Sequence, residues 1–217
     1  MSILPLNLMD WTGFTNFPAL EQKLQTAGWG RPDYLASLYT YAKRMRHPGL
    51  IVEIGTQRGE STVVMGHAIR HTGSHILTID PVFRPDGAHY RDEHQGALFD
   101  KMDWYGLMET IKEQRLEGYI TLVPDYSYNV LARWDGRPID LLFVDGAHTY
   151  ADVLKDCQWM EYVRPGNFAV FDDWFHEIEQ AVKFYLQGKP HWHFLHESIH
   201  QKTVDYCVTI LRRDLGA

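Results

Sequence analysis

Acidic side chains follow two apolar runs in the second half of the chain. Asp145 comes directly after residues 139–144, and Asp172 and Asp173 come directly after residues 167–171. Both runs are short and rich in β-branched and aromatic residues, which is typical of strands buried on both faces of a parallel sheet. Neighbouring strands lie about 4.8 Å apart, so acids at equivalent strand ends can reach one small ion. The three carboxylates are therefore candidate ligands of a cation.

Carboxylate oxygens at this edge favour a hard divalent cation. Unit charges ~4 Å apart repel by roughly 1 to 4 kcal/mol in water or near a protein surface, so the acids should take up a proton or a counter-ion. Oxygen ligands indicate Mg²⁺ first and Mn²⁺ or Ca²⁺ next, rather than zinc. The alternative is that Asp145 and Asp172 only cap the turn or helix that follows them.

A helix should connect these two strands. Residues that can face a core recur at helical spacing between them, at Tyr150, Val153, Leu154, Cys157 and Met160. Strand, helix and strand in this order predict parallel neighbours joined by a crossover. The Pro165-Gly166 pair predicts a turn before the second strand.

A second group of candidates surrounds a glycine turn. Residues 50–62 read LIVEIGTQRGEST, a β-branched strand, a turn and the start of a helix. The turn lacks the GxGxxG register of dinucleotide-binding proteins. A ligand with a cationic sulfonium and an amino acid head group instead needs close backbone approach and nearby acids, and Glu53 is such an acid. Asp80 ends the next strand, where it could accept both ribose hydroxyls of an adenosine or only precede a proline turn.

Composition indicates one α/β domain with small-molecule partners. The chain has 217 residues and a formal net charge of -7, without a basic run of the kind that binds nucleic acid. Cys157 and Cys207 form neither a CxxC motif nor a disulfide framework, so we expect a reducing, cytoplasmic location. We expect no membrane partner, because the sequence contains no targeting segment and no apolar run of membrane-spanning length.

Flanking segments carry weaker signals. Residues 34–45 should form a helix, in which Tyr39 and Lys43 make a YxxxK pair. A short-chain dehydrogenase uses this pair for proton transfer, but here it precedes the glycine turn, so we expect two surface residues. The polar connection at residues 82–97 is a candidate substrate lid or a solvated loop, and its candidate contacts are Arg84, His89, Tyr90, Arg91 and His94.

The order VEIGTQRGEST, ILTIDP, YITLVPDYS, IDLLFVDGAHTY and VRPGNFAVFDDW resembles the class I S-adenosylmethionine-dependent methyltransferases over about residues 50–175. Within that class the chain is most similar to the metal-dependent O-methyltransferases, of the catechol and caffeoyl-CoA type and of the macrocin sugar type. The resemblance implies an α/β fold, a Rossmann-like seven-stranded and mostly parallel sheet with helices on both faces and an antiparallel C-terminal strand. We expect residues 1–49 to form an arm and a helix packed on a methyltransferase domain at residues 50–217.

The resemblance also implies roles for individual residues. Asp145, Asp172 and Asp173 correspond to the metal ligands, and His148 stands where the family has its catalytic base, which takes the proton of a substrate hydroxyl. Two positions depart from the family pattern, since Asp125 and Gln57 each replace a common glycine. The residues that would bind the cofactor are Glu53, Gly55, Thr56, Gly59, Ser61, Asp80, Asp125, Ser127, Tyr128 and Asp145.

The expected reaction is methyl transfer from S-adenosylmethionine to a hydroxyl of a small molecule, with Mg²⁺ or another divalent cation. The acceptor would be a phenol, a catechol or a sugar of a natural product. Two alternatives stay open, a nicotinamide-dependent oxidoreductase and a catalytically silent cofactor-binding protein of the same fold. The oligomeric state also stays open, and a homo-oligomer is compatible with the sequence. Four aromatic residues could form acceptor walls or pack in the core: Trp104, Tyr105, Trp174 and Phe175.

Overall fold

One seven-stranded sheet organises the protein. The computed structural model describes residues 32–46, 48–57, 59–81, 104–196 and 209–215. Its strands are β1 (Leu50–Ile54), β2 (His75–Ile79), β3 (Ile120–Val123), β4 (Ile139–Val144), β5 (Val163–Phe171), β6 (Trp192–His196) and β7 (Thr209–Arg213). They lie in the order β3-β2-β1-β4-β5-β7-β6.

Helices follow most of the strands. In the part of the chain that the structure describes they are α1 (Pro32–Arg44), α2 (Glu60–Ile69), α3 (Trp104–Glu113), α4 (Ser127–Leu131), α5 (Tyr150–Asp156) and α6 (His176–Tyr185). A 3₁₀-helix at Cys157–Tyr162 continues α5 into β5. No helix among the described residues is both long enough and apolar enough to cross a membrane.

Strand directions confirm the predicted fold class. Strands β1 to β5 pair in parallel, with β1 between β2 and β4 and with β5 beside β4. Strand β7 is antiparallel to both of its neighbours, β5 and β6. The predicted strand–helix–strand unit at β4, α5 and β5 is also confirmed, including the parallel pairing of its two strands.

The core lies on both faces of this sheet, because successive side chains of a strand point to opposite sides. Leu141 and Phe143 face a cluster that includes α1, α2 and α3. Leu142 and Val144 face a second cluster that includes α5 and α6. All six residues of β4 are buried, Asp140 included, which explains why the other five are apolar and makes this strand the centre of the domain.

Two expectations about local structure were wrong. Pro165 and Gly166 do not form a turn before β5 but lie within it, where the pairing with β4 shifts register. Tyr39 is not a surface residue, because α1 packs in the core and leaves only 7% of Tyr39 exposed. Lys43 is exposed and its ammonium group donates to the carbonyl of Ala68 at 3.4 Å.

The amino end of the sheet contains a buried polar network. Asp140 is 2% exposed, and its Oδ2 accepts the N–H of Leu50 at 3.0 Å. Its Oδ1 accepts bonds from Arg164 and Asn167, each at 3.0 Å. This carboxylate therefore ties the first residues of β1, β4 and β5 together, at the opposite end of β4 from Asp145.

Several predictions lie outside the described residues. They concern the N-terminal arm at residues 1–30, the connection at residues 82–97 and Cys207. The division of the chain into residues 1–49 and 50–217 stays a prediction.

Candidate active site

The carboxyl ends of β1, β4 and β5 bring the candidate residues to one edge of the sheet. Val144 pairs with Phe171, so Asp145 and Asp172 continue the same register. The N–H of Asp145 donates to the carbonyl of Ile54 at 2.8 Å, and the N–H of Asp172 donates to the carbonyl of Val144 at 3.0 Å. The ladder of backbone hydrogen bonds thus extends one residue beyond β4 and β5 and fixes the backbone positions of Asp145 and Asp172.

Asp145, His148 and Asp173 form the acidic cluster at this edge. One ligand atom from each of them lies within 4.8 Å of the others. His148 Nε2 is 3.9 Å from Asp145 Oδ1 and 3.4 Å from Asp173 Oδ2, so this one nitrogen faces both carboxylates. Asp172 is 1% exposed and is not part of this set. The structure therefore brings together two of the three predicted metal ligands and adds the predicted base.

Local backbone structure positions the cluster. Asp173 has a φ of 49°, a left-handed conformation that turns the chain sharply after Asp172 and directs the two side chains differently. On the other strand, the Thr149 hydroxyl accepts the N–H of Asp152 at 3.2 Å and caps α5. His148 is the residue before this cap, so the start of the helix holds it close to Asp145.

Negative charge around His148 favours its protonated form. The carboxylate of Asp145, followed by those of Asp173 and Asp172, raises the pKa of the imidazole above its ordinary value, while partial burial opposes the shift. An imidazolium that faces two carboxylates partly neutralises them. The same two carboxylates would bind a divalent cation for the same electrostatic reason.

The glycine turn packs directly on the Asp145 backbone. Gly55 has a φ of 90°, and a Cβ at this position would lie 2.0 Å from the carbonyl oxygen of Asp145. Gly59 has a φ of 78° and stands at the start of α2, where a Cβ would lie 2.3 Å from Leu107 Cδ1. Both positions require glycine, and the turn that follows β1 is therefore adjacent to the acidic cluster.

Asp80 holds this turn in place. Its Oδ2 accepts the N–H of Thr56 at 2.8 Å and the N–H of Gln57 at 3.0 Å, and the side chain is 5% exposed. Gln57 adopts a φ of 43°, which is the conformation that makes glycine common at this position of the family. The Thr56 hydroxyl also lies 2.5 Å from that of Thr78 on β2. A contact of Asp80 with a ribose stays a prediction.

Glu53 is buried completely behind the turn. Its Oε1 accepts the Ser61 hydroxyl and its Oε2 accepts the Thr62 hydroxyl, each at 2.5 Å. Burial raises its pKa to about 7, and the hydroxyl donors, Ser61 first, act in the opposite direction. Glu53 and Ser61 therefore bond to each other and fasten α2 to β1. The sequence did not identify Thr62 as a partner of Glu53, because a threonine directly after the candidate Ser61 forms no recognisable pattern.

The connection between β3 and α4 carries the residues predicted to meet adenine. Asp125 accepts the N–H of Tyr126 and the amide of Asn129, each at 2.8 Å, and pairs with Arg133 at 2.7 Å. It therefore orders the first turn of α4, which explains an acid where the family has glycine. Tyr128 is 41% exposed and stacks on Tyr126 with ring centroids 5.2 Å apart.

Asp156 is a further polar residue that sequence reasoning missed. It is 4% exposed and accepts a short hydrogen bond from the hydroxyl of Ser127. The signal was available, because Asp156 falls on the apolar face of α5 that Val153 and Cys157 define. An acid on such a face is buried, and a buried carboxyl needs a partner.

Aromatic side chains next to the cluster differ in exposure. Trp174 is 1% exposed and packs in the core. Phe175 is 43% exposed, and its ring centroid lies 6.5 Å from that of His148 in an edge-to-face arrangement. Phe175 thus presents an apolar ring beside the candidate base, whereas the side chains of Trp104 and Tyr105 lie outside the described residues.

Solved structures with the same fold come from several organisms. The O-methyltransferase TomG from Streptomyces achromogenes, in complex with SAM, is 17% identical and has a TM-score of 0.62, with 92% of this chain and 90% of that chain covered. The Podospora anserina methyltransferase PaMTH1, bound to SAH, is 17% identical with a TM-score of 0.56, and 99% of each chain is covered. An rRNA methylase from Streptococcus thermophilus is 12% identical with a TM-score of 0.57, with 82% of this chain and 95% of that chain covered. Different acceptors thus occur on this fold.

A family profile described as a methyltransferase domain matches residues 52–174, more than half of the chain. The matched segment runs from β1 to Trp174 and includes the glycine turn, the acidic cluster and the connection to α4. It covers all the predicted cofactor-binding residues, metal ligands and the base, whereas Phe175 lies one residue beyond it. The chain therefore belongs to this methyltransferase family and is an enzyme of the class I kind that its sequence resembles.

Proposed function

We propose that this enzyme transfers the methyl group of S-adenosylmethionine to a hydroxyl group of a small molecule, with the help of a divalent cation. The observation that carries the proposal is the cluster of Asp145, His148 and Asp173, which lies at the sheet edge against the glycine turn. In this arrangement a cofactor can approach the backbone of the glycine turn closely, and the acids and the base lie next to that turn.

The glycine turn supports the cofactor assignment. Gly55 and Gly59 keep the turn free of side chains where it passes the Asp145 backbone and enters α2. Asp145 also places a carboxylate where the cationic sulfonium of S-adenosylmethionine would be stabilised, a charge that S-adenosylhomocysteine lacks. The TomG structure is a complex with SAM and the PaMTH1 structure is bound to SAH, which agrees with this assignment.

The residues present fit a divalent cation. Asp145 and Asp173 offer carboxylate oxygens for the ion, and His148 Nε2 lies 3.9 Å and 3.4 Å from these carboxylates, where it would stand beside the ion as the base. Asp172 would act from behind this set, since its carboxylate contributes to the field at His148. Carboxylate oxygens favour Mg²⁺ first, and Mn²⁺ is the ion to compare with it. When bound, such a cation supplies positive charge that lowers the pKa of a nearby hydroxyl.

His148 is the residue that would accept the hydroxyl proton. Its Nε2 faces Asp145 and Asp173, which orient the ring and stabilise the imidazolium once the proton has been accepted. The methyl group passes from sulfur to the acceptor oxygen, the sulfonium loses its charge, and the proton stays on His148. The products are S-adenosylhomocysteine and a methyl ether. Positioning supplies most of the acceleration in such an in-line displacement.

Phe175 supports a small-molecule acceptor with an apolar part. Its half-exposed ring beside His148 can cover one face of a phenol or of a glycosylated scaffold. The net charge of -7 also disfavours a polyanionic acceptor such as RNA. The acceptor is therefore proposed to be a phenol, a catechol or a natural-product sugar.

Turnover with and without metal tests the proposal. Wild-type protein is freed of metal with EDTA and assayed with S-adenosylmethionine, a panel of catechols and sugars, and added Mg²⁺ or Mn²⁺. We expect methyl transfer that depends on the added ion. In Asp145→Ala, turnover should fall by at least 100-fold because the cluster loses a carboxylate. The dissociation constant for S-adenosylhomocysteine, measured by calorimetric titration, should change by less than fivefold.

Asp152→Ala is the matched control. Asp152 is a partly exposed carboxylate of α5 that pairs with Lys155 at 2.8 Å and lies outside the cluster. Its loss should leave the response to metal unchanged. Metal-independent turnover in the wild-type protein, or a loss of cofactor affinity in Asp145→Ala with an unchanged response to metal, would contradict the proposed role of the cluster.

A further inference from the structure

A buried carboxyl group, that of Asp156, contacts two segments of the site: the start of α4 and the turn that follows Asp145. Asp156 ends α5 and is 4% exposed. Its Oδ1 accepts the hydroxyl of Ser127, the first residue of α4. Its Oδ2 faces the backbone of Gly146, since a Cβ on that glycine would lie 3.3 Å from it. One side chain thus connects α4 with the turn that follows Asp145.

We propose that Asp156 is a positioning residue for methyl transfer, which holds the cofactor-facing end of α4 in fixed geometry relative to the turn that carries Asp145 and His148. The inference rests on the proposed function and on the expectation, from the family resemblance, that Ser127 and Tyr128 bind the cofactor. On the other side, Gly146 lies in the chain between Asp145 and His148, two of the three members of the acidic cluster. A movement of the Asp156 side chain would therefore displace both the segment that binds the cofactor and the turn that carries Asp145 and His148.

The energetics of Asp156 indicate a role beyond packing. It stands on the apolar face of α5, where a carboxyl loses solvation and where the C-terminal end of the helix disfavours negative charge. Burial raises the pKa of Asp156 to about 7, against the opposing effect of the bond from Ser127. The neighbouring charges are those of Asp152, which raises this pKa, and Lys155, which lowers it. An aliphatic side chain would fill this position at lower energetic cost but would not accept the Ser127 hydroxyl.

Geometry explains why such a link matters for the rate. Methyl transfer requires the donor carbon and the acceptor oxygen to be in line, and a displacement of about 1 Å can lower a rate by about 100-fold. The donor would be held partly by α4 and the acceptor by the Asp145 turn. These segments are connected through a polar side chain at Asp156, so its hydrogen bond contributes to the distance between the two reactants.

The test compares Asp156→Ala and Asp156→Asn with a matched control. Asp140→Ala also removes a buried carboxylate of the same domain, but at the amino end of β4 and away from the site. Thermal unfolding identifies a temperature at which each variant is fully folded. At that temperature the dissociation constant for S-adenosylhomocysteine is measured by calorimetry, and kcat and the KM for S-adenosylmethionine are measured with an acceptor that the wild-type protein uses.

We expect Asp156→Ala to raise the dissociation constant and the KM by about tenfold and to lower kcat by at least tenfold. Asp156→Asn should stay within about threefold of wild type, because an amide oxygen still accepts the Ser127 hydroxyl. Asp140→Ala should lose thermal stability without a change in these constants. The inference would be overturned if Asp156→Ala and Asp140→Ala had the same kinetic constants and both bound S-adenosylhomocysteine with wild-type affinity.

Binding alone separates this inference from the proposed function. If the wild-type protein binds S-adenosylhomocysteine but methylates no hydroxyl, the proposed acceptor chemistry fails, and the dissociation constants of the Asp156 variants still decide the inference. If the wild-type protein does not bind S-adenosylhomocysteine, both fail. Should Asp156→Ala not fold, Gly146→Ala replaces it, because the new Cβ would lie 3.3 Å from Asp156 Oδ2, besides 3.2 Å from Ile54 Cγ2. Constants within twofold of wild type in that variant would also overturn the inference.

Discussion

Replacement of Glu53 by glutamine should change how the stability of this protein depends on pH. Burial raises the pKa of Glu53 from 4.5 to about 7, so the folded protein binds this proton more tightly than the unfolded chain does. Each tenfold difference in proton affinity corresponds to about 1.4 kcal/mol. Linkage therefore predicts a contribution of about 3 kcal/mol to the free energy of unfolding, fully present below pH 4.5 and lost as pH rises through 7.

Urea unfolding at pH 5, 6, 7 and 8 measures this effect. Trp159 and Trp174 are fully buried and should report unfolding by fluorescence. Other groups titrate in the same range, so the useful quantity is the difference in unfolding free energy between wild type and Glu53→Gln. Glutamine keeps the shape of the side chain and an acceptor for one hydroxyl, but it does not titrate. We expect the wild-type advantage in unfolding free energy to shrink by about 2.5 kcal/mol between pH 5 and pH 8.

Glu161→Gln is the control with a carboxylate of the opposite behaviour. Partial burial works to raise its pKa, but bonds from Lys189 and Tyr185 outweigh this and lower it. Glu161 is therefore ionised in both states above pH ~5.5, and the difference between this variant and wild type should not change with pH. A pH-independent difference for Glu53→Gln as well would refute the argument, since it would mean that Glu53 has the same proton affinity folded and unfolded.

Three substitutions at other positions have separate expected outcomes. Gly55→Ala should cost about 3 kcal/mol or more of unfolding free energy in urea, because the new Cβ would lie 2.0 Å from the Asp145 carbonyl oxygen at a φ of 90°. His148→Gln should lower kcat by about 100- to 10,000-fold with S-adenosylhomocysteine affinity within threefold, and unchanged kcat would remove His148 as the base. Asp140→Ala should cost about 1–3 kcal/mol in the same unfolding assay, because three hydrogen bonds lose their acceptor, while a loss of cofactor affinity would contradict its assignment to the fold alone.

The sequence predicted the fold and the edge of the sheet where the site lies. Runs such as Ile139–Val144 are apolar at every position except Asp140, and the helical spacing after Asp145 leaves only a crossover to a parallel neighbour. Parallel strands place their carboxyl ends at one edge, so acids at those ends must be near each other. The same local logic identified the glycine turn, because close packing against the Asp145 backbone requires residues without a side chain.

Prediction from the sequence was weaker where contacts with distant segments decide the local structure. Pro165 and Gly166 resemble a turn in isolation, yet the register shift between β4 and β5 accommodates them inside a strand. Tyr39 resembles part of a surface motif, yet α1 is covered by α2 and the ring is buried. In both cases contacts with distant segments outweighed a local preference.

What the sequence determined by itself is therefore the order of the strands and helices and the residue types at the strand ends, since these follow from short-range periodicity and turn chemistry. Only the tertiary structure decided that Glu53 bonds to Ser61 and Thr62, that His148 faces both Asp145 and Asp173, and that Asp156 connects α4 with the Asp145 turn. The physical reason is that each hydrogen-bond donor or charge has several acceptable partners. Which one it meets depends on the crossovers that bring separate strands together.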